Sequence, residues 1–220
     1  MTITNDTQQL LVNNQQIRPT EPLESRAIGR LWGKYVPSSE LIYQGQLITA
    51  DGVMLETNLA KRASKLVQQS QLDLSVDYLW TVYPRTPFKD SPTKLRVTLI
   101  NVRKEKEYTD SVKSELQLVA DNFSVQGLVI YQDYEFGIVL VKIHQKPQRE
   151  FEPPKDFQLR LIGFLPSNSI HKFWNFNVRR VGTSLVIQSG ECIKLQEREQ
   201  SSTSDISTST AGYTTELTES

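Results

Sequence analysis

The chain reads as a mainly β protein: two tandem small OB-like β-barrel domains, the first with one short helix, flanked by disordered tails. Three observations predict this. Short alternations of apolar and polar residues recur between turn signals over residues 25–198. One amphipathic segment falls between the third and fourth alternations of the first half. A strand, a basic proline-bearing loop and a second strand occur in both halves in the same order. A single continuous sandwich is the competing architecture.

Ordered structure is expected to begin near Arg26. In RAIGRLWGKYVPS (26–38), Arg26, Arg30 and Lys34 recur at four-residue spacing, as on a helix face. Gly29 and Gly33 oppose that reading. Each glycine costs a helix about 1 kcal/mol, so a strand with close backbone approach at the glycines is expected. A second strand spans 42–49, Asp51-Gly52 signals a turn, and 53–56 returns as a third. In TNLAKRASKLVQQSQL, Thr57 or Asn58 offers a cap, and Leu59, Ala63, Leu66 and Val67 share one face. YLWTVY (78–83) and KLRVTLINV (94–102) are strand-like and flank a loop with three prolines.

Residues 105–121 are expected to form a linker or short helix, because charge rises and strand signals vanish. The second half holds a hairpin over 123–145, a proline-bearing loop, FQLRLIGFL (157–165), and a final hairpin over 173–195 turning near Val181-Gly182-Thr183. Within FWNFNVRRV, Trp174, Phe176 and Val178 share a face that a core would claim. Asn175, Asn177, Arg179 and, beside them, Arg180 remain for outside contacts. Leu-Arg frames around Arg96 and Arg160 suggest that the two halves arose by duplication. The expected divisions are 1–24 (tail), 25–104 (first barrel), 105–121, 122–198 (second barrel) and 199–220 (Ser/Thr-rich tail).

Charge follows this division. The whole chain balances 25 basic against 25 acidic residues. Outside 25–198 lie one base and seven acids, so that span carries 24 bases and 18 acids. A mildly basic body with an acidic tail favours an anionic partner. Cys192 is the only cysteine, so no intrachain disulfide forms. The N-terminus has no apolar signal-peptide core and no apolar run spans a bilayer, so a cytoplasmic protein is expected.

RAIGRLWGKYVPS, LWTVYPRT and KFWNFNVRRVGTSLVIQSGECI together resemble a conserved, uncharacterised protein family of cyanobacteria. The resemblance covers most of residues 26–195 and leaves out both tails. It implies a cyanobacterial source and brings no activity and no site residue with it.

Catalytic equipment is not legible. His144 and His171 are the only histidines, and neither stands in a hydrolase or metalloprotease motif. One cysteine and two scattered histidines do not make a metal centre, and no phosphate-binding glycine loop occurs. A non-enzymatic module without cofactor or metal is expected. What remains is an aromatic and basic set: Trp32, Lys34, Tyr35, Arg85, Arg96, Arg160, Asn177 and Arg179. OB barrels bind single strands by stacking bases on aromatics beside a basic groove, so RNA or single-stranded DNA is the expected partner. Trp32 is the best candidate for an exposed ring. Lys89, Lys146, Arg149 and Lys155 of the proline loops would add charge. The alternative is a protein-interaction or assembly module, motivated by the neutral charge of the whole chain.

Overall fold

The structure is a computed structural model that describes residues 24–87, 94–103, 110–145 and 155–193. Both tails lie outside the described residues, as do Lys89, Lys146 and Arg149 of the proline loops. The first half folds as β1 (Arg26–Pro37), β2 (Gln44–Thr49), β3 (Met54–Leu59), α1 (Lys61–Gln68), β4 (Tyr78–Arg85) and β5 (Arg96–Val102). α2 (Asp110–Val119) follows. The second half is β6 (Asn122–Asp133), β7 (Ile138–Gln145), β8 (Lys155–Ile162), β9 (Phe173–Val181) and β10 (Ser184–Ile193).

The first five strands pair in the cyclic order β1-β2-β3-β5-β4-β1, with β3 parallel to β5 and the other pairs antiparallel. The last five repeat it as β6-β7-β8-β10-β9-β6, with β8 parallel to β10. Each half is therefore a five-stranded barrel of OB topology, closed in the second half by the single β8–β10 pair Ile162↔Val186. The continuous sandwich is excluded.

Alternation builds both interiors. On β9, Trp174, Phe176 and Val178 are buried while Asn175, Asn177 and Arg179 are exposed. The Trp174 and Phe176 rings stack at 5.6 Å. Burying such side chains contributes about 1.5–3 kcal/mol each. α1 buries Ala63 and Val67 against the first barrel. Its start differs from expectation. Ala60 occupies the N-cap and no side chain caps the helix. Thr57 stays in β3, where its hydroxyl donates to the Leu55 carbonyl. β3 is held straight by its pairing with β5 as far as Leu59, and Ala60 N–H donates to Leu99 O. Tertiary pairing, rather than a cap, sets where this helix begins.

The halves repeat, but not in the frame the Leu-Arg motifs suggest. Arg96 lies on β5, the fifth strand of its barrel, whereas Arg160 lies on β8, the third strand of the other. The short frame reflects outward-facing arginines on alternating strands, and the true correspondence pairs β4-β5 with β9-β10.

β1 also pairs antiparallel with β6, from Arg26↔Gln126 to Gly29↔Phe123, and so joins the barrels into one ten-stranded sheet. Gly29 permits this crossing, because a Cβ there would sit inside the Phe123 ring. Gly29→Ala is expected to lower stability by about 1–3 kcal/mol through overpacking. Urea unfolding measures this, as a fall in the midpoint.

A second tie is Arg180, whose side chain is only 2% exposed. It continues the buried face of β9 and does not reach solvent, contrary to the outside role expected for it. Its Nε donates to Asp121 at 2.6 Å, and its terminal nitrogens donate to Asp51 at 3.0 and 3.1 Å and to Gly182 O at 2.9 Å. Asp51 belongs to the β2–β3 turn of the first barrel, so one guanidinium fastens three segments. Burial alone would lower the Arg180 pKa; hydrogen bonds to Asp51 and Asp121 outweigh that and raise it.

Candidate nucleic-acid interface

Period-two alternation puts Leu55, Thr57 and Leu59 of β3 inside the first barrel and Glu56 and Asn58 outside. The same rule turns Gln44 and Gln46 of β2 and Arg96 and Thr98 of β5 outward. Pairing aligns Gln44 with Asn58, Asn58 with Thr98, and Arg85 with Arg96. The result is a polar strip across β2, β3, β5 and β4.

Two adjoining clefts run along this strip. One, of about 420 Å³, is lined by Asn58, Arg85, Arg96, Thr98, Phe157 and Gln158 among others. The other, of about 640 Å³, is lined by Ser38, Ser39, Gln44, Gln46, Asn58 and Arg96 among others. Asn58 and Arg96 border both, so the clefts join into one groove. Its wall at one end is β8 of the second barrel. The strand pair β2–β3 and the loops after β1 and β4 are where OB barrels hold oligonucleotides.

The charge in the groove is held in place. The Arg85 guanidinium lies 3.7 Å above the Phe157 ring, and it also donates to Pro84 O and Gln145 Oε1. Burial lowers the Arg85 pKa, partly offset by Tyr83. An arginine so shifted keeps its charge at neutral pH. Arg96 Nε contacts Glu56 at 2.8 Å. That largely exposed pair contributes roughly 0–1 kcal/mol. Arg160 stands at the same seam, its backbone N–H donating to Thr86 Oγ1 at 2.7 Å. Guanidinium groups, amides and hydroxyls are the groups that phosphate, sugar and base edges require.

The structure thus gathers Arg85 and Arg96 in the groove, sets Arg160 on β8 beside Thr86, and separates the rest. Trp32 is 6% exposed and packs with Leu79, Leu116 and Ala120, so it is not the open ring expected. α2 covers the outer side of β1 at that point. Tyr35 is likewise interior: it meets Trp80 edge-on, its hydroxyl donates to Ile42 O at 2.9 Å, and burial pushes its phenol up to about 12. Lys34 is half-buried on β1 beside Ile48 of β2. Asn177 and Arg179 face outward on β9, with Asn177 donating to Ser189 Oγ at 3.0 Å, and neither lines the groove. His144 points outward, 2.6 Å from Asp156.

Sequence reasoning missed Asn58, Thr98, Gln44 and Gln46. Their outward parity was readable, but only the barrel pairing brings them onto one strip. Phe157 has the parity of the buried Leu159 and Leu161 on β8, yet it is half-buried, at the rim beneath Arg85. Among the described residues no three His, Cys, Asp or Glu gather as a metal site would need, and no helix is long and apolar enough to cross a membrane.

Two family descriptions match this geometry. Residues 27–110 match the "PatR RNA-binding protein, N-terminal OB-fold domain". Residues 125–194 match the "Cyanobacterial OB-fold-like RNA-binding domain, C-terminal". No curated protein matches the chain.

Proposed function

We propose, since this chain belongs to the cyanobacterial PatR family of paired OB-fold RNA-binding domains, that it is a non-enzymatic module holding RNA along the groove of its first barrel. The observation that carries the reading is the meeting of Arg85, Arg96, Asn58 and Phe157 in one groove on the strands that OB barrels use for oligonucleotides. Arg85 and Arg96 neutralise phosphates, Asn58 and Thr98 present polar groups to sugar and base edges, and Phe157 stiffens Arg85. The family description names RNA, which selects it from the two nucleic acids the sequence suggested.

Fluorescence anisotropy with a mixed-sequence RNA oligonucleotide tests the reading at two salt concentrations. Affinity should fall as salt rises. Arg85→Ala/Arg96→Ala should weaken binding about tenfold or more and shallow the salt slope by about one for each lost phosphate contact. A wild-type chain that binds no RNA even at low salt contradicts the proposal.

A further inference from the structure

The outward face of β7 and β8 leads away from the groove. Gln158 of β8 lines the groove. From there the outward positions of β8 run through Arg160 and Ile162 toward Phe164, about 20 Å further at the rise of a strand. Opposite them on β7 stand Lys142, Leu140 and Ile138, in register with Gln158, Arg160 and Ile162. The face therefore changes from polar at the groove to apolar at its far end.

That far end carries two large open rings. Phe136 is 66% exposed and Phe164 is 69% exposed. Their backbone mounts are tied together. Gly163 N–H donates to Gly137 O at 2.8 Å, which ties the β6–β7 turn to the end of β8. The Phe164 ring lies against Gly137, at φ +59°, so closely that a Cβ there would press on it. Rings held open on a rigid backbone lose little entropy when a flat partner stacks on them.

We infer that Phe136 and Phe164 are a base-stacking platform for the same RNA strand as it leaves the first-barrel groove over β8. The occupant is unpaired RNA because the rings continue the strip that starts at Gln158, with the cation Arg160 between. β7 and β8 are also the second and third strands of their barrel, the pair that OB barrels use for oligonucleotides. Paired bases present no free face to such rings, so the site selects single-stranded RNA. This inference rests on the RNA reading of the groove.

The test uses the full chain and fluorescein-labelled oligoadenylates of about 5 and about 25 nucleotides, within and beyond the roughly 4–16 nucleotides that one OB fold holds. Phe136→Leu/Phe164→Leu keeps apolar area and removes the π faces; Phe136→Tyr/Phe164→Tyr keeps both. The wild type should bind the longer RNA more tightly. The leucine variant should lose about tenfold or more on the longer RNA and nothing on the shorter, and the tyrosine variant should retain full affinity. Equal binding of both lengths by the wild type, or unchanged binding of the longer RNA by the leucine variant, overturns the platform while leaving the groove intact. The second result would instead fit an apolar surface for another protein. A wild type that binds neither RNA overturns the groove reading itself. Matching urea midpoints for the three chains establish that the variants are folded.

Discussion

Asp51→Asn/Asp121→Asn is expected to cost about 3–5 kcal/mol of stability, the penalty for leaving a buried guanidinium without its counter-charges. Arg180 is the deeply buried member, while the side chains of Asp51 and Asp121 are 48% and 29% exposed. That asymmetry decides which variant hurts most. Removing Arg180 leaves two carboxylates that water still reaches, so Arg180→Met should cost less than the double asparagine variant. Either carboxylate alone keeps one counter-charge in place, so the single variants should each fall well short of the pair. Denaturant unfolding at neutral pH ranks the four chains. The same cluster predicts acid sensitivity. Burial pushes the Asp51 carboxyl up, but hydrogen bonds from Arg180 and Thr49, with the Arg180 charge, win and lower it from 3.8 to about 2. A depressed folded pKa means that the stabilisation is complete above the unfolded value and is lost as pH falls. The contribution should therefore fade between 3.8 and about 2, and Asp51→Asn should flatten that part of the stability profile.

Trp80→Ala is the other large loss. Trp80 is fully buried in the first barrel, and its Nε1 donates to Gly33 O at 3.0 Å. Tyr35 and Tyr78 meet its ring edge-on at 6.3 and 6.0 Å. Truncation opens a cavity that flanking strands cannot close, and such Trp→Ala changes cost about 3–5 kcal/mol. It also strands a carbonyl of β1 in the interior. Because β1 pairs with β2, β4 and β6 at once, the damage should spread beyond one contact. Thermal unfolding of the variant should show a lower midpoint, and RNA affinity at low temperature should survive if the fold does. A midpoint equal to wild type would mean that the ring does not pack as described.

The contrast between these residues and the sequence reading shows what alternation can carry. The start of Phe173–Ile193 was legible as core because Trp174, Phe176 and Val178 alternate with polar residues, and the structure keeps all three inside. Arg180 has the same parity and was still placed outside, since a charge is ordinarily left in water. Its partners Asp121 and Asp51 lie 59 and 129 positions away, beyond any local pattern. Trp32 failed for a different reason. Leu31, Trp32 and Gly33 are all buried, because β1 faces the barrel on one side and α2 on the other. Period two identifies one covered face and says nothing of a helix that covers the second. Arg85 and Arg96 were readable as basic residues near a proline loop, but their meeting with Asn58 depends on the parallel pairing of β3 with β5. The fold was largely local and therefore legible; the groove is a product of closure.

The location of the RNA is the central point, and photocrosslinking with a thiouridine-bearing RNA oligonucleotide, followed by mass spectrometry of the labelled peptides, tests it most directly. Adducts should map to the groove and its extension, on peptides carrying Asn58, Phe157 and Phe136 or Phe164. Adducts confined to the Asn175–Arg179 face of β9, with none along β3, β5 and β8, would contradict the account.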